Sequence, residues 1–268
     1  MEHLKDILPD AIPQENTENT SSHKCPKCGR EIRPTEAELF GRIYRYGGPC
    51  ECEVKEQEEK DRQREAREKQ ERLDRLFENS GLGPRFGRCG FDNWQPLPGT
   101  EAAHRTAATY AEGLRENVKD GKGFLIFGPP GNGKSHLAAA VTREALARGY
   151  TAVFERVPRL LSRIRATYRD GSPVSEGEIM RALTQADLLT LDDAGAEKWT
   201  EWTEPTLYTI IDERYSYEKA LIITTNSTLE KLEAKIGDRA MDRVLEMCEI
   251  VENTGKSYRK MIAEGVIK

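Results

Sequence analysis

The fold of this chain is decided by the stretch Gly128-Pro129-Pro130-Gly131-Asn132-Gly133-Lys134-Ser135. A short apolar run, residues 123–127, precedes it, and apolar residues at helical spacing follow it. Glycines let the backbone curl so that its N–H groups point at phosphate oxygens, and the helix that begins here directs its N-terminal dipole at the same anion. The pattern G-x-x-x-x-G-K-S between a strand and a helix is therefore a P-loop, which predicts binding of ATP with Mg²⁺.

Each part of the P-loop has a chemical role. Lys134 places a positive charge on the β- and γ-phosphates, and the hydroxyl group of Ser135 ligates Mg²⁺. The nucleotide-contacting residues are predicted to be Gly128, Pro129, Pro130, Gly131, Asn132, Gly133, Lys134, Ser135 and His136.

A P-loop needs a second, acidic site, and an apolar run at residues 188–191 ends in Asp192 and Asp193. We expect Asp192 to hold Mg²⁺, directly or through water, and Asp193 to orient and activate the attacking water. A third apolar run ends at Asn226, whose side chain can reach the γ-phosphate or that water. Many ATPases carry Glu at the position of Asp193, so slow turnover is expected, and a non-hydrolysing adaptor that uses ATP as a structural ligand remains an alternative.

Strands alternate with helices from about residue 101 onward, which predicts an α/β fold with a parallel sheet flanked by helices. We expect helices at about 100–117, 158–169, 176–185 and 204–215, and strands at 123–127, 151–154, 187–191 and 220–225, with a further extended piece near 249–252.

The chain of 268 residues is long enough for one substantial domain and something smaller. Composition divides it into a polar, disordered arm (1–22), a small cysteine-containing module (23–53), a linker helix of intermixed charges (54–78) and the ATPase domain (79–268).

Cys25 and Cys28 form a C-x-x-C knuckle followed by glycine, and Cys50 and Cys52 supply a second pair. Clustered cysteines are more often metal ligands than disulfides in a reducing compartment. Four thiolates at about 2.3 Å make a closed tetrahedral Zn²⁺ site with a structural role. His23 is an alternative fourth ligand, and a redox pair or bare thiols are the other interpretations.

The formal net charge of −5 means that any nucleic-acid contact must come from a local basic patch. Residues 156–169 contain five arginines and no acid, with apolar residues at helical spacing. A basic amphipathic helix of this kind can follow a phosphate backbone while an aromatic ring stacks on a base. The predicted DNA contacts are Arg159, Arg163, Arg165, Tyr168 and Arg169.

No apolar run is long enough to span a bilayer and no signal peptide is evident, so we expect a cytoplasmic protein without a membrane partner.

Taken together, these residues resemble the AAA+ ATPases, and within them the DnaC-type helicase loaders and their IstB-like relatives. The resemblance covers about residues 76–262. It rests on Glu78-Asn79-Ser80-Gly81-Leu82-Gly83-Pro84, Phe91-Asp92-Asn93-Trp94, the P-loop through Ala138, Ala186 through Glu197, Thr224-Thr225-Asn226, Asp238-Arg239 with Asp242-Arg243, and Ser257-Tyr258-Arg259.

The resemblance implies further roles. Asn226 matches the sensor 1 position, and Arg259 matches sensor 2, which acts on ATP in its own subunit. Arg243, with Arg239 as the weaker candidate, matches the arginine finger that contacts ATP bound by a neighbouring subunit. An arginine that works in trans makes hydrolysis depend on self-association.

The resemblance also implies function. The first expectation is an ATP-dependent loader of a hexameric replicative DNA helicase, in which the zinc module holds the helicase, the basic helix binds single-stranded DNA, and hydrolysis releases the helicase. The alternative is an IstB-like transposition helper that acts on duplex target DNA with a transposase.

Overall fold

The computed structural model describes residues 22–39, 42–77, 81–169, 171–196 and 200–267, without side chains for 35–47. The predicted arm, apart from Ser22, lies outside these residues, as do the quoted residues 78–80 and Glu197. The chain forms two compact units that divide between Arg64 and Glu65. The boundaries predicted at residues 53 and 78 remain predictions.

The first unit contains two short antiparallel pairs and the beginning of a long helix. Strands β1 and β2 pair with each other, as do β3 and β4. The elements are β1 (His23–Lys24), β2 (Glu31–Ile32), β3 (Pro34–Leu39), β4 (Arg42–Gly47) and α1 (Glu51–Phe77).

Helix α1 continues from the first unit into the second. Along its exposed length, opposite charges pair at helical spacing, as in Lys60 with Glu56 at 2.7 Å and Arg67 with Glu71 at 3.0 Å. Its last turns differ in composition, because Leu73 and Phe77 are apolar and are buried in the core of the second unit. The predicted linker helix is therefore solvated only in part, and its end belongs to the ATPase unit.

The second unit holds the predicted α/β arrangement. Its elements are α2 (Gly83–Phe86), α3 (Glu101–Glu112), α4 (Leu114–Lys119), β5 (Gly123–Phe127), α5 (Lys134–Ala147), β6 (Ala152–Arg156), α6 (Val157–Ala166), α7 (Glu176–Gln185), β7 (Leu188–Ala194), α8 (Thr203–Ser216), β8 (Ala220–Thr225), α9 (Leu229–Ile236), α10 (Asp238–Met247), β9 (Cys248–Glu252) and α11 (Tyr258–Ala263).

Among the described residues of this unit, five parallel strands form a sheet in the order β6-β7-β8-β5-β9. One apolar cluster covers one face with residues of α3 and α5, and a second covers the other face with residues of α6 to α10. Strands buried on both faces read as apolar runs, and their carboxyl ends meet at one edge of the sheet. The predicted parallel sheet flanked by helices is confirmed.

Two differences from the predicted elements have clear causes. The single helix expected at about 100–117 is interrupted, because α3 ends at Glu112, Gly113 caps it, and α4 begins at Leu114. Strand β7 extends past the predicted Leu191 to Ala194, with an irregular register after Leu191. Among the described residues, no helix has the length and apolar character that crossing a membrane requires.

Arg214 on α8 fixes this helix to the sheet. Its side chain is fully buried, and its guanidinium donates hydrogen bonds to the backbone carbonyls of Leu183, Ala186, Asp187 and Ala220 at 2.5–3.3 Å. Burial lowers the pKa of Arg214 to about 9. Helix α8 is thus held to the amino ends of β7 and β8.

Candidate nucleotide-binding and hydrolysis site

The P-loop connects β5 to α5 and has the backbone conformation that its glycines permit. Gly131 and Gly133 have φ angles of 85° and 93°, in the left-handed region that favours glycine. A Cβ atom on Gly133 would come within 2.4 Å of the Trp94 ring. Glycine is therefore required at this position both by the turn and by the close approach of Trp94.

Lys134 lies inside the loop. Its ammonium group donates hydrogen bonds to the carbonyls of Gly128 at 2.8 Å and Pro129 at 2.7 Å, and to the side-chain oxygen of Asn132 at 3.0 Å. Burial lowers the pKa of Lys134 to about 8, although the carboxylates of Asp193 and Asp192 oppose the shift. The ammonium group of Lys134, which is predicted to bind the phosphates, is thus already held by the P-loop.

Asp192 lies at the carboxyl end of β7 and is almost fully buried. Burial raises its pKa, while hydrogen bonds from Ser135 and Thr224 favour the charged form. The hydroxyl of Thr224 donates to its carboxylate at 2.6 Å. The structure therefore brings Ser135 and Asp192 together, as a shared magnesium ion requires.

Asp193 has an unusual backbone, with a φ angle of 60° at the irregularity in β7. A non-glycine residue in the left-handed region carries strain, and such residues cluster at functional sites. The amide of Asn226 donates to one carboxylate oxygen at 2.7 Å, and the Arg156 guanidinium donates to the other at 2.9 Å. Asp193 is thus aimed into the cleft by partners on the two neighbouring strands, β6 and β8.

A cleft of about 480 Å³ joins these residues. The P-loop from Pro130 to His136, the acidic pair, Asn226 and Arg259 line it. The remaining residues of the wall, for which the sequence predicts no part in nucleotide binding, are Arg85, Phe86, Cys89, Asn93, Trp94, Gln95, Leu97, Arg156, Thr224 and Tyr258.

Trp94 connects this wall to the P-loop. Its ring stacks on His104 and meets His136 edge-on, with ring centroids 5.7 Å and 5.3 Å apart. His136 is held in turn, because its Nε2 lies 2.8 Å from the carbonyl oxygen of Gly90. The segment Phe91–Trp94 contributes to the family resemblance, but the local sequence does not show which residues the Trp94 ring contacts.

Arg243 and Arg259 lie in different places. Arg259 lines the cleft, as expected for an arginine that acts on its own nucleotide. Arg243 is outside the residues that line the cleft, and instead its Nε donates to Asp212 on α8 at 3.2 Å. The predicted role of Arg243 at a neighbouring subunit's nucleotide remains a prediction.

The predicted DNA-binding residues are not equivalent in the structure. Arg163 points inward, where it donates to the carbonyl of Leu76 at 2.5 Å and lies over the ring of Phe77. Arg165 lies over the ring of Trp202, and Tyr168 accepts a hydrogen bond from the same indole. Arg159 and Arg169 are exposed. The exposed members of the predicted set are therefore Arg159, Arg165, Tyr168 and Arg169.

The four clustered cysteines of the first unit come together. Their sulfur atoms all lie within 4.8 Å of one another, with 3.5 Å between Cys25 and Cys52 and between Cys28 and Cys50. Sulfurs bound at about 2.3 Å to one tetrahedral ion are about 3.8 Å apart, so the cluster fits Zn²⁺. His23 is not part of the group. Backbone N–H groups of Cys28 and Lys27 lower the pKa of Cys25 to about 7, whereas the hydrogen bond with Cys50 raises the pKa of Cys52 to about 12.

In the sheet, β8 lies between the P-loop strand β5 and the acidic strand β7, and it supplies Thr224 and Asn226 to the site. This geometry, with the P-loop, the acidic strand and an arginine around one cleft, is that of an AAA+ ATPase. Membership of this class implies ATP hydrolysis.

Comparison with known proteins gives the family. Residues 100–264 match the family described as IstB-like ATP binding protein. The chain is 32% identical to the replicative helicase loader DnaC of Escherichia coli strain K12 over 174 residues, which are 65% of this chain and 69% of that protein. It is 31% identical to the uncharacterized protein YdaV of the same strain over 66% of this chain and 69% of that protein. The chain belongs to the IstB-like ATP binding protein family, with DnaC among its relatives.

Solved structures agree with this assignment. A crystal structure of the DnaC helicase loader superposes with a TM-score of 0.58 at 25% identity, over 64% of this chain and all of that chain. The replication initiator DnaA bound to AMPPCP and single-stranded DNA gives 0.56 at 24% identity, over 69% of this chain and 55% of that one. The second likeness shows the fold alone.

Proposed function

We propose that this chain is an ATP-dependent loader of a replicative DNA helicase. The observation that carries the proposal is the 32% identity to a replicative helicase loader across 69% of that protein's length. The described cleft supplies the ATPase site, and the cysteine cluster and the basic helix supply two further surfaces for partners. We place this activity in the cytoplasm, with no membrane partner.

The residues of the cleft have different roles in ATP binding and hydrolysis. Lys134 and the backbone N–H groups of the P-loop bind the phosphates, and Arg259 contacts the same nucleotide. Ser135 and Asp192 would hold Mg²⁺, which neutralises charge that develops on the phosphates when it is bound. Asp193 accepts the proton of the attacking water, and Asn226 and Arg156 keep its carboxylate in place.

Self-association completes the site. Arg243 does not line its own cleft and is partly exposed, and a guanidinium is the group that best stabilises charge on a transferred phosphoryl group. A neighbouring copy would supply Arg243 to this nucleotide. Hydrolysis is therefore slow in the isolated chain and rises on assembly or DNA binding, and the short side chain of Asp193 contributes to the slow rate.

The first unit is the helicase-binding part in this proposal. A unit of this size buries too little apolar surface to be stable alone, so Cys25, Cys28, Cys50 and Cys52 would hold a Zn²⁺ ion that stabilises it. Single-stranded DNA would contact the second unit through Arg159, Arg165, Tyr168 and Arg169.

Size-exclusion chromatography with the hexameric replicative helicase of the same cell tests the proposal. The intact, zinc-loaded chain should co-elute with the helicase in ATP, and Cys28→Ser should not. A zinc-loaded chain that never co-elutes with the helicase would rule out the loader.

The alternative that the sequence left open is an IstB-like transposition helper, and the comparisons support it less than the loader. Such a protein would prefer duplex over single-stranded DNA and would form ATP-dependent filaments on it. Anisotropy titrations with labelled single-stranded and duplex oligonucleotides of equal length separate the two. Tighter binding to single strands supports the loader, and tighter binding to duplex supports the helper.

A further inference from the structure

The surroundings of Arg243 suggest a second pair of functional residues. Arg243 lies on α10, and Asp212 and Tyr215 lie on α8, one turn apart and on the same face of that helix. The Asp212 carboxylate accepts a hydrogen bond from Nε of Arg243 at 3.2 Å. The guanidinium carbon lies 4.4 Å from the centroid of the Tyr215 ring.

This contact orients the guanidinium without using all of it. Arginine has five N–H donors, and the bond to Asp212 engages the one on Nε. The two terminal nitrogens form the fork that matches phosphate oxygens. The side chain of Arg243 is 38% exposed and that of Asp212 is 32% exposed, so the group sits at the surface, where a neighbouring molecule can reach it.

The contact also has a rigid support. Arg214, two residues after Asp212, is fully buried and binds four backbone carbonyls. Helix α8 is therefore fixed to the sheet that carries the nucleotide site. The Tyr215 hydroxyl donates to Glu246 on α10 at 2.8 Å, which holds the tyrosine ring between the two helices.

We propose that Asp212 and Tyr215 are positioning residues that hold Arg243 in the orientation in which it contacts ATP bound by a neighbouring copy of this chain. This inference rests on the proposed trans role of Arg243. Long arginine side chains lose considerable rotamer freedom when they are fixed, so a preset arginine reaches the neighbouring phosphate with less loss of entropy. Asp212 and Tyr215 act through Arg243 and touch no nucleotide themselves.

The test compares steady-state ATP hydrolysis of full-length variants at a concentration and with single-stranded DNA that support assembly. Asp212→Ala should lower kcat by about tenfold, the scale of a lost hydrogen bond to a charged group, and leave KM for ATP unchanged, because the neighbour's cleft is intact. Asp212→Asn keeps an acceptor oxygen and should retain an intermediate kcat. Glu213→Ala, which removes the adjacent acid, is the matched control and should hydrolyse ATP like the wild type.

Mixed assemblies show in which subunit Asp212 acts. Lys134→Ala chains bind no nucleotide but carry an intact Arg243 and Asp212. Mixed with Asp212→Ala chains, they should raise the rate of ATP hydrolysis above that of either variant alone. In such a mixture, Lys134→Ala chains supply a correctly held Arg243 to the ATP that is bound by neighbouring Asp212→Ala chains. The double variant Lys134→Ala/Asp212→Ala should give no such rise. A mixture with Lys134→Ala that stays at the rate of Asp212→Ala would overturn the proposal.

Arg243→Ala separates this inference from the function on which it rests. If Arg243→Ala hydrolyses ATP at the wild-type rate, the trans role itself is wrong. If Arg243→Ala loses activity while Asp212→Ala and Tyr215→Leu keep full kcat, the trans role stands and the positioning role is wrong. Melting temperatures of all variants, measured on the same samples, confirm that a lost rate is not a lost fold.

Discussion

The side-chain amide of Asn226 donates a 2.7 Å hydrogen bond to the carboxylate of Asp193, although 33 residues separate them in the chain. Asp193 lies near the carboxyl end of β7, and Asn226 directly follows the neighbouring parallel strand β8. Asp193 therefore faces the cleft with a fixed carboxylate, and its left-handed backbone is held in place from both sides.

Asp193→Asn removes the group that accepts the proton of the attacking water. We expect the rate of ATP hydrolysis to fall by about a hundredfold, the lower end of what general-base catalysis contributes. ATP binding should be unchanged, because Lys134 and the P-loop are intact. Phosphate release and fluorescent-nucleotide binding measure the two effects, with Asp120→Asn, an exposed carboxylate, as the control. Equal, near-zero rates for wild type and Asp193→Asn would support a non-hydrolysing adaptor instead.

Lys134→Met should abolish nucleotide binding and change the stability of the nucleotide-free chain in a pH-dependent way. The pKa of Lys134 is lowered from 10.5 to about 8, which corresponds to a cost of about 3 kcal/mol for the buried charge. Loss of its three hydrogen bonds offsets about 3 kcal/mol, so the free energy of unfolding should change little at pH 7. Urea denaturation measures the change, and Lys119→Met, at an exposed position, should show none.

The effect of Lys134→Met on stability should depend on pH with a defined sign. Between pH 8 and 10.5 the unfolded wild type keeps the Lys134 proton that the folded state has lost, so wild-type stability rises with pH there. The unfolding free energy of Lys134→Met minus that of the wild type should be constant below pH 8 and fall above it. A difference that grows above pH 8 would contradict the burial of this charge.

Phe77→Ala tests whether the end of α1 belongs to the ATPase unit. Phe77 is fully buried in its core, so the substitution should cost about 4 kcal/mol of unfolding free energy. Arg75→Ala, on the same turn but exposed, should cost little. Chemical denaturation followed by the signal of the ATPase unit gives both values. Equal stabilities of the two variants would mean that the helix ends as a free linker.

Cys28→Ser tests the metal site. The full-length variant should lose about one equivalent of zinc, because three thiolates no longer close the tetrahedron. Cys248→Ser, which changes a buried cysteine outside the cluster, should keep it. Elemental analysis after gel filtration measures the zinc content. Zinc-free wild-type protein purified without chelators, and unable to take up added Zn²⁺, would contradict the site.

The sequence alone located those parts of the site that are local along the chain. The P-loop, the acidic pair and Asn226 were found because each directly follows an apolar run that predicts a strand, and parallel strands bring such ends together. Arg156 and Trp94 were missed because their partners are distant in sequence. Arg156 reaches Asp193 only because β6 is the neighbour of β7, and strand order cannot be read from the pattern of apolar residues.

The basic helix shows a related limit. Residues 156–169 are predicted from sequence to form one basic helix, yet Arg156 donates to the carboxylate of Asp193 and Arg163 donates to a carbonyl at the end of α1. Helical spacing indicated that some positions of this segment face inward. It did not show that Arg156 and Arg163 make contacts within the chain and are therefore not free to bind DNA. Composition predicts that a basic surface exists, and tertiary packing decides which side chains remain on it.

Helicase release is the measurement that tests the loader most directly. A complex of fluorescently labelled replicative helicase with the full chain is formed in ATP, single-stranded DNA is added, and dissociation is followed by fluorescence anisotropy. The wild type should release the helicase at its rate of ATP hydrolysis, and Asp193→Asn should bind the helicase equally well but keep it bound. Release at the same rate from both proteins would contradict a loader driven by hydrolysis at Asp193.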